Sequence, residues 1–329
     1  MYAIEALADD LWHITLPKPD IKHLPYARPN NVFVLTGESP ALINAGHPSQ
    51  KGALFEALST LGLRPQDIQR VMATSWQVDM IGGATHLPEA DLFAFSPDMV
   101  QPRHYGQWLA QERALRVDFA TALDAFEPFD RTLDWEGMRA TLDVYYPSDL
   151  TTLPIIPVSS GQRVALGQRT LEVIGAHGPD EGHVMLHDPQ HDMLFAADII
   201  QNGLPEQVYE VRQHLRALER ADVLAPAQVY PNHGRPIKRA RLRVKHARMF
   251  LENFIDNAPL AMHKDPTLTR FVYQDLGIEP TDMVRYTETL RTYQILLDEL
   301  GRSRLLDTVG EGLGRRYGVG LNDARASIR

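Results

Sequence analysis

The sequence predicts an α/β fold made of mixed β-sheets and helices. Short apolar runs rich in β-branched residues alternate with helical patterns through about the first 235 residues, separated by Gly and Pro. Hydrophobic residues make up 44% of the 329-residue chain, which is enough to build a large buried core. Polar clusters follow several predicted strands, as in folds whose functional loops collect at one edge of a sheet.

The predicted elements fall into two groups along the chain. In the first group we expect a helix at Gln50–Leu61 and strands at Leu11–Leu16, Asn31–Thr36, Ala41–Asn44, Ile68–Ala73 and Asp91–Phe95. In the second group we expect a helix at Glu206–Ala221 and strands at Arg163–Leu166, Thr170–Ile174, Val184–His187, Met193–Ala196 and up to Tyr230.

Two segments interrupt or extend this pattern. Residues 97–154 read as a mainly helical insertion rich in aromatic side chains, and the chain from residue 237 onward reads as helical. We therefore predict one domain at 1–236, which includes the insertion, and a helical C-terminal extension at 237–329. The glycines between Gly310 and Gly320 do not follow a strand, so they predict a loose tail. The insertion could form a lid over a cleft or the hydrophobic face of a homodimer, and both alternatives stay open.

Composition and charge exclude several classes of function. Cysteine is absent, which removes disulfides, thiolate ligands and a cysteine nucleophile, and fits a reducing compartment. The net charge of −9 argues against a general nucleic-acid binder. The N-terminal residues do not resemble a secretory signal, and no apolar run is long enough to cross a bilayer. We expect a cytoplasmic protein without a membrane partner.

Three polar segments directly after predicted strands are the candidates for function. The first is Thr74–Gly83, with the sequence TSWQVDMIGG. The second combines Gly175-Ala176-His177 with Ala197-Asp198, and the third is Pro231-Asn232-His233-Gly234.

The order of these segments resembles the metallo-β-lactamase superfamily. In that family a strand ends in T-H-x-H-x-D-H-x-G-G, and a P-G-H turn, a G-D pair and a late G-H-G follow. Leu42 to Gly46 also looks like the family's L-I-D-T-G turn, and Glu181-Gly182-His183 resembles its T-x-G-H. The resemblance covers about residues 10–237. It implies a four-layer αββα sandwich, two mixed sheets flanked by helices, with the site at one edge between the sheets.

The chain departs from the family at the metal-binding positions. Ser75, Gln77 and Met80 stand where the family has histidines, and Asn44 stands in place of an aspartate. The resemblance implies that the surviving ligand candidates are Asp79, His177, Asp198 and His233. Carried over by position, the first metal keeps His177 and the bridging Asp198, and the second keeps Asp79, Asp198 and His233.

The residues leave two interpretations of this site open. A site with three protein ligands can still hold zinc, so we expect either no cofactor or a single, partially occupied divalent ion (zinc, iron or manganese). Alternatively, the two aspartates could pair with imidazolium forms of His177 and His233 in a metal-free cluster that neutralises its own charge.

Three functional hypotheses follow. The leading one is a superfamily member that has lost two-metal hydrolysis and keeps a cleft for a small-molecule ligand, with Asp79 and Asp198 as candidate acids and bases. The second is a single-metal hydrolase of an ester, thioester or lactone, and the third is a non-catalytic interaction module. In the cleft, Trp76 and Gln77 are candidate substrate contacts, whereas Met80 is expected to fill the volume of a missing imidazole.

A basic run follows His233 on a predicted helix, at Arg235, Lys238, Arg239, Arg241, Arg243, Lys245 and Arg248. It could bind nucleic acid or an anionic substrate such as a CoA ester. Because the charges are spread around the helix, the sequence favours a solvated helix with local ion pairs.

Overall fold

The computed structural model describes residues 2–21, 28–96, 153–176, 182–202, 211–261, 307–309 and 316–318, with the single positions 110, 137, 140, 141, 144–146 and 150. His177, most of the predicted insertion and most of the extension beyond residue 261 lie outside this part of the chain. None of the helices in the described part has the length and apolar character that a membrane span requires.

The first sheet contains seven strands in sequence order. They are β1 (Ala3–Ala8), β2 (Leu11–Leu16), β3 (Asn30–Leu35), β4 (Ala41–Ile43), β5 (Arg70–Ala73), β6 (Asp91–Phe95) and β7 (Ile155–Val158). Pairing is antiparallel from β1 to β4 and parallel from β4 to β7. The carboxyl ends of β4 and β5 therefore lie at the same edge.

The second sheet contains five strands in the order β12, β11, β10, β9, β8. Their bounds are Arg163–Leu166 for β8, Arg169–Gly175 for β9, Val184–Asp188 for β10, Met193–Ala197 for β11 and Gln228–Pro231 for β12. Only β11 and β12 pair in parallel within this sheet. The loops after these two strands consequently open at one edge.

Four α-helices whose bounds lie in the described part cover the two sheets or support the site. They are α1 (Lys51–Thr60), α2 (Val78–Ile81), α3 (Val211–Leu224) and α4 (Ala240–Ala261). Leu54 and Leu58 of α1 pack on the first sheet, and Leu218 of α3 and Val244 of α4 pack on the second. A third core cluster fills the space between the sheets, with Phe33, Phe195 and Tyr230 in ring contact. The predicted αββα sandwich is confirmed.

Most predicted strands agree with the structure to within one or two residues, but two edge strands were not predicted. β1 has a largely exposed Ala-rich sequence without the alternation typical of strands. β7 contains Pro157, which normally argues against a strand and is tolerated here because β7 lies at the edge of its sheet.

The C-terminal extension differs from the prediction in one respect. Asp307–Val309 (β13) and Arg316–Gly318 (β14) pair as an antiparallel ladder where the sequence predicted a loose tail. Short strands next to several glycines have weak strand propensity, which explains the wrong prediction. The domain boundary at residue 236 stays a prediction, and α4, which lies beyond it, forms part of the outer layer on the second sheet.

Candidate functional site

The candidate site lies at the edge of the sandwich where loops from both sheets meet. Asn44 follows β4, Asp79 lies in α2 after β5, Asp198 follows β11 and His233 follows β12. Hydrogen bonds and ion pairs bring these four positions together, as the resemblance implied. The fourth ligand candidate, His177, follows β9 and lies outside the described residues.

Two of the loops begin in left-handed backbone conformation. Asn44 has a φ of 63° and Ala197, directly before Asp198, has a φ of 50°. Asparagine adopts this conformation readily, whereas alanine does so at a cost of roughly 1–2 kcal/mol. The family's G-D pair places glycine at the position of Ala197, so this chain keeps the backbone turn that aims Asp198 despite its less suitable residue.

His233 faces both candidate aspartates through the same ring nitrogen. Its Nε2 lies 3.5 Å from Asp79 Oδ2 and 3.8 Å from Asp198 Oδ1. Its Nδ1 donates a hydrogen bond to the carbonyl oxygen of Pro29 at 3.0 Å. Asp79 and His233 are each 8% exposed and Asp198 is 2% exposed. Solvent therefore reaches this cluster of three side chains mainly at Asp79 and His233.

Burial controls the protonation of His233. Burial and the nearby guanidinium of Arg28 lower its pKa to about 4, although Asp198 acts in the opposite direction. The ring is therefore neutral near pH 7, and because Nδ1 carries the proton, the Nε2 lone pair faces the carboxyl groups. The interpretation of His233 as an imidazolium in a self-neutralising cluster stays a prediction, and the lowered pKa of the ring does not favour it. The arrangement instead favours a hydrogen-bond donor or cation between Nε2 and the carboxyl groups.

The carboxyl group of Asp198 is held by neighbouring side chains. Burial would raise its pKa, but a hydrogen bond from His183 and the charges of His183 and Arg28 hold the pKa below its usual range, and a protonated His233 would lower it further. Its Oδ2 accepts hydrogen bonds from His183 Nε2 at 3.3 Å and from Asn232 Nδ2 at 3.0 Å. Two protein donors therefore occupy the oxygen that a bridging aspartate would offer to one of its metals.

A neutral polar network positions Asn232 against Asp198. Asn232 Oδ1 accepts from Asn44 Nδ2 at 2.9 Å, and the Thr74 hydroxyl lies 2.9 Å from Oδ1 of each asparagine. The backbone N–H of Thr74 also donates to Asn44 Oδ1. The three side chains are 0–2% exposed, and the amide at position 44 supplies a donor that the family's aspartate would lack.

The positions where the family has its first histidines hold side chains engaged within the protein. Ser75 Oγ accepts a hydrogen bond from the backbone of Gln77, and Met80 is fully buried. Trp76 belongs to the core beneath the first sheet and donates from Nε1 to Phe95 O at 2.9 Å. Gln77 is half-buried. A substrate contact by Trp76 or Gln77 stays a prediction, and the burial of Trp76 favours packing.

The donor set does not fit the family's two-metal site. Three imidazole positions are taken by Ser75, Gln77 and Met80, and Oδ2 of Asp198 is already engaged. Within the described ranges, which omit His177, no group of three or more His, Asp and Glu side chains could hold a metal ion as it stands. Among the described histidines, His47 does not fill a vacant position, since its two ring nitrogens contact Ser49 Oγ and the Tyr145 carbonyl.

Sequence reasoning missed the parts played by Asn232, His183 and Arg28. The signal for Asn232 was present, because asparagine stands where the family's late G-H-G has its first glycine. The sequence did not indicate the contact of His183 with Asp198, since the histidine of the T-x-G-H motif is usually not a ligand. The charge of Arg28 on the site follows from the path of the chain before β3, which sequence spacing does not reveal.

A family model described as the Metallo-beta-lactamase superfamily matches residues 25–233, which is more than half of the chain. The chain is also 28% identical over 211 residues to "Metallo-beta-lactamase domain-containing protein 1" of Mus musculus, and 26% identical to the protein of the same name from Rattus norvegicus. Each match spans 63% of this chain, but only 64% of the mouse protein and 66% of the rat protein.

Solved structures of similar proteins agree with the fold described above. A metallo-beta-lactamase family protein from Thermus thermophilus is 22% identical, with a TM-score of 0.71 over 95% of this chain and 99% of that chain. A beta-lactamase domain protein from Burkholderia ambifaria is 19% identical, with a TM-score of 0.70 over 96% of this chain and 93% of that chain. At these identities the likeness extends to the fold alone.

Proposed function

Because the chain belongs to the metallo-β-lactamase superfamily, we propose that it is a divergent member that does not carry out two-metal hydrolysis. It instead binds a small-molecule ligand in the inherited cleft beside Asp79, Asp198 and His233. This proposal rests on the two hydrogen bonds that Asp198 Oδ2 accepts from His183 and Asn232. An aspartate held in this way cannot offer Oδ2 to a metal ion unless a donor moves, so it cannot bridge two ions through its two oxygens.

The contacts of His233 indicate what the ligand offers to the site. Its Nε2 lone pair faces the carboxyl groups of Asp79 and Asp198, and Asp198 Oδ1 is buried without a hydrogen-bond partner among the described residues. A buried acceptor without a donor is costly, by about 1–3 kcal/mol. A ligand with an amine or hydroxyl donor would relieve that cost. Asp198, which its lowered pKa keeps ionised, would accept a hydrogen bond from such a ligand but would be a weak base toward it.

One observation favours a second candidate, a single-metal hydrolase of an ester, thioester or lactone. The atoms that would hold the second metal are separated by 3.5 and 3.8 Å. Two ligand atoms on one zinc ion lie about 3.4 Å apart, given bonds of about 2.1 Å and tetrahedral geometry. Asp79, Asp198 and His233 would need to move slightly inward, or to gain a further ligand, before they could hold an ion.

Elemental analysis of the chain purified without chelators, with an ester, thioester and lactone panel, tests both candidates. The leading proposal predicts fewer than two tightly bound metal equivalents and no metal-dependent hydrolysis. One equivalent that is lost together with hydrolysis in Asp198→Ala would establish the second candidate instead. Two equivalents with hydrolysis would overturn both.

A thermal-shift screen tests the ligand-binding part. Amine-bearing compounds should stabilise the chain more than their uncharged isosteres, and Asp79→Asn should abolish the difference. Asp91→Asn, which changes an exposed aspartate at the start of β6, is the matched control and should retain it. If amines and isosteres behave alike, the proposed donor contact is wrong.

A further inference from the structure

A large groove lies at the open edge of the sandwich, outside the candidate site. It has a volume of about 1190 Å³ and is bounded by the edge strands β1 and β12 and by the start of α4. Pro29 and Gly234, which flank the contacts of His233, form part of its wall. Its other walls are separate from Asp79 and Asp198, so it is a second potential binding site on the chain.

One wall of the groove is strongly basic. It is formed by Arg235, Lys238, Arg239 and Arg243, and Glu5 on the opposite wall is the single acidic residue among the described residues that line it. Glu5 lies 3.9 Å from His13 and forms no ion pair with the basic wall in the described part of the chain. The four cations therefore create a local positive field in a chain whose net charge is −9.

The basic side chains differ in how they are neutralised. Arg248, farther along α4, pairs with Glu219 and Glu252 at 3.8 and 3.2 Å, as the sequence led us to expect for the whole run. Within the described ranges, the four cations of the groove have no ion-pair partner. The first turn of α4 also contains no acidic residue, so repulsion among these charges is not offset locally.

The remaining lining of the groove is apolar. Ile4, Leu7, Tyr230, Ile237 and Leu242 line it beside the basic wall. A lone phosphate ion would leave most of this surface in contact with water. The volume suits a larger, cofactor-sized molecule, since it slightly exceeds the roughly 300–1,000 Å³ typical of small-molecule pockets. The lining thus combines sites for several negative charges with a surface for an apolar or aromatic body.

We propose that this groove binds an organic polyphosphate, a molecule with two or more phosphate groups attached to an apolar or aromatic body. The phosphates contact Arg235, Lys238, Arg239 and Arg243, and the body covers the apolar lining. A nucleic-acid polymer fits less well because the basic wall is bounded and the rest of the chain carries excess negative charge. This inference does not depend on the function proposed for the aspartate and histidine site.

Isothermal titration calorimetry of the full chain with adenosine triphosphate, inorganic tripolyphosphate and adenosine tests the proposal. Adenosine triphosphate should bind most tightly, tripolyphosphate more weakly and adenosine not at all. Lys238→Ala combined with Arg239→Ala should weaken adenosine triphosphate binding by about tenfold or more, since two charge-assisted contacts are lost. Binding should also weaken as the salt concentration rises.

The matched control is Arg241→Ala combined with Lys245→Ala. It removes one arginine and one lysine that are also exposed on α4 but do not line the groove, and it should change affinity by less than about twofold. Equal losses in the two double variants, or no binding of either polyphosphate, would overturn the proposal. So would tripolyphosphate binding as tightly as adenosine triphosphate, or a single-stranded oligonucleotide that binds more tightly and requires Arg241 and Lys245.

Discussion

At the scale of single residues, Asn232 connects side chains of the candidate site that come from both sheets. Its amide nitrogen donates to Asp198 and its amide oxygen accepts from Asn44, while the Thr74 hydroxyl lies within reach of the same oxygen. An amide can do this because it carries a donor and an acceptor on one rigid group. Asn232 therefore joins loops of both sheets at the point where the family places a glycine.

Replacing this amide by a carboxyl group is the sharpest test of its role. Asn232→Asp removes the donor to Asp198 and places a second acidic group against a buried carboxylate, so we expect a loss of about 2–4 kcal/mol in unfolding free energy near pH 7. The loss should shrink as the pH falls, because a protonated carboxyl can donate again. Urea unfolding at several pH values measures this. Asn202→Asp, which removes a donor to Arg235 O at a more exposed site, should cost less than about 1 kcal/mol. Equal losses would contradict the bridging role.

At the scale of elements, α3 and the loop after β11 meet at a buried histidine. His214 of α3 is completely buried, and burial lowers its pKa to about 4 although a backbone contact with Ile199 acts in the opposite direction. The unfolded state takes up this proton at its usual pKa of about 6.5, whereas the native state does so only near pH 4. The native state is therefore most favoured by this group above about pH 6.5, and that stability is lost as the pH falls toward 4.

The pH dependence of stability should therefore respond to His214. From the two pKa values, lowering the pH from about 7 to about 5 costs on the order of 2 kcal/mol through this group. Urea unfolding measures the difference in unfolding free energy between the two pH values. His214→Leu should reduce this difference by that amount. His246→Leu, at an exposed position on α4, should leave the dependence unchanged. If His214→Leu shows the parent's full pH dependence, another group is responsible.

The elements also show which features of the fold and the site the sequence patterns could predict. Strands such as β2 and β6 were predicted to the residue because their apolar runs are bounded by turn residues. The convergence of Asp79, Asp198 and His233 followed from the motif order alone. The contacts of Asn232 and Arg28 did not, because they depend on how loops of different sheets approach each other. Single-sequence periodicity contains no information about that approach.

At the scale of the whole molecule, a buried ion network joins the two sheets away from the site. Arg169 of β9 donates to Asp10, in the turn between β1 and β2, and to Asp188 at the end of β10. The side chains of Arg169 and Asp188 are each 1% exposed. Such a network adds little net stability when complete, but removing one partner leaves an uncompensated buried charge.

We therefore expect Arg169→Met to lower the unfolding free energy by about 3–5 kcal/mol. A second substitution, Asp188→Leu, should recover part of the loss because it removes the buried carboxylate that has lost its guanidinium partner. Arg70→Met is the matched control: Arg70 also links the sheets, through a hydrogen bond to Ala165 O, but this contact is exposed, so the cost should stay below about 1 kcal/mol. Chemical denaturation of the parent and these variants measures the values, and no recovery in the double variant would contradict the explanation.

The contact between Gly182 and Trp76 has a consequence for how this sequence can change over generations. A Cβ atom at position 182 would lie 2.1 Å from the indole ring, so an alanine there collides with a side chain that the core holds in place. We therefore expect a larger residue at position 182 to be accommodated only together with a smaller side chain at position 76.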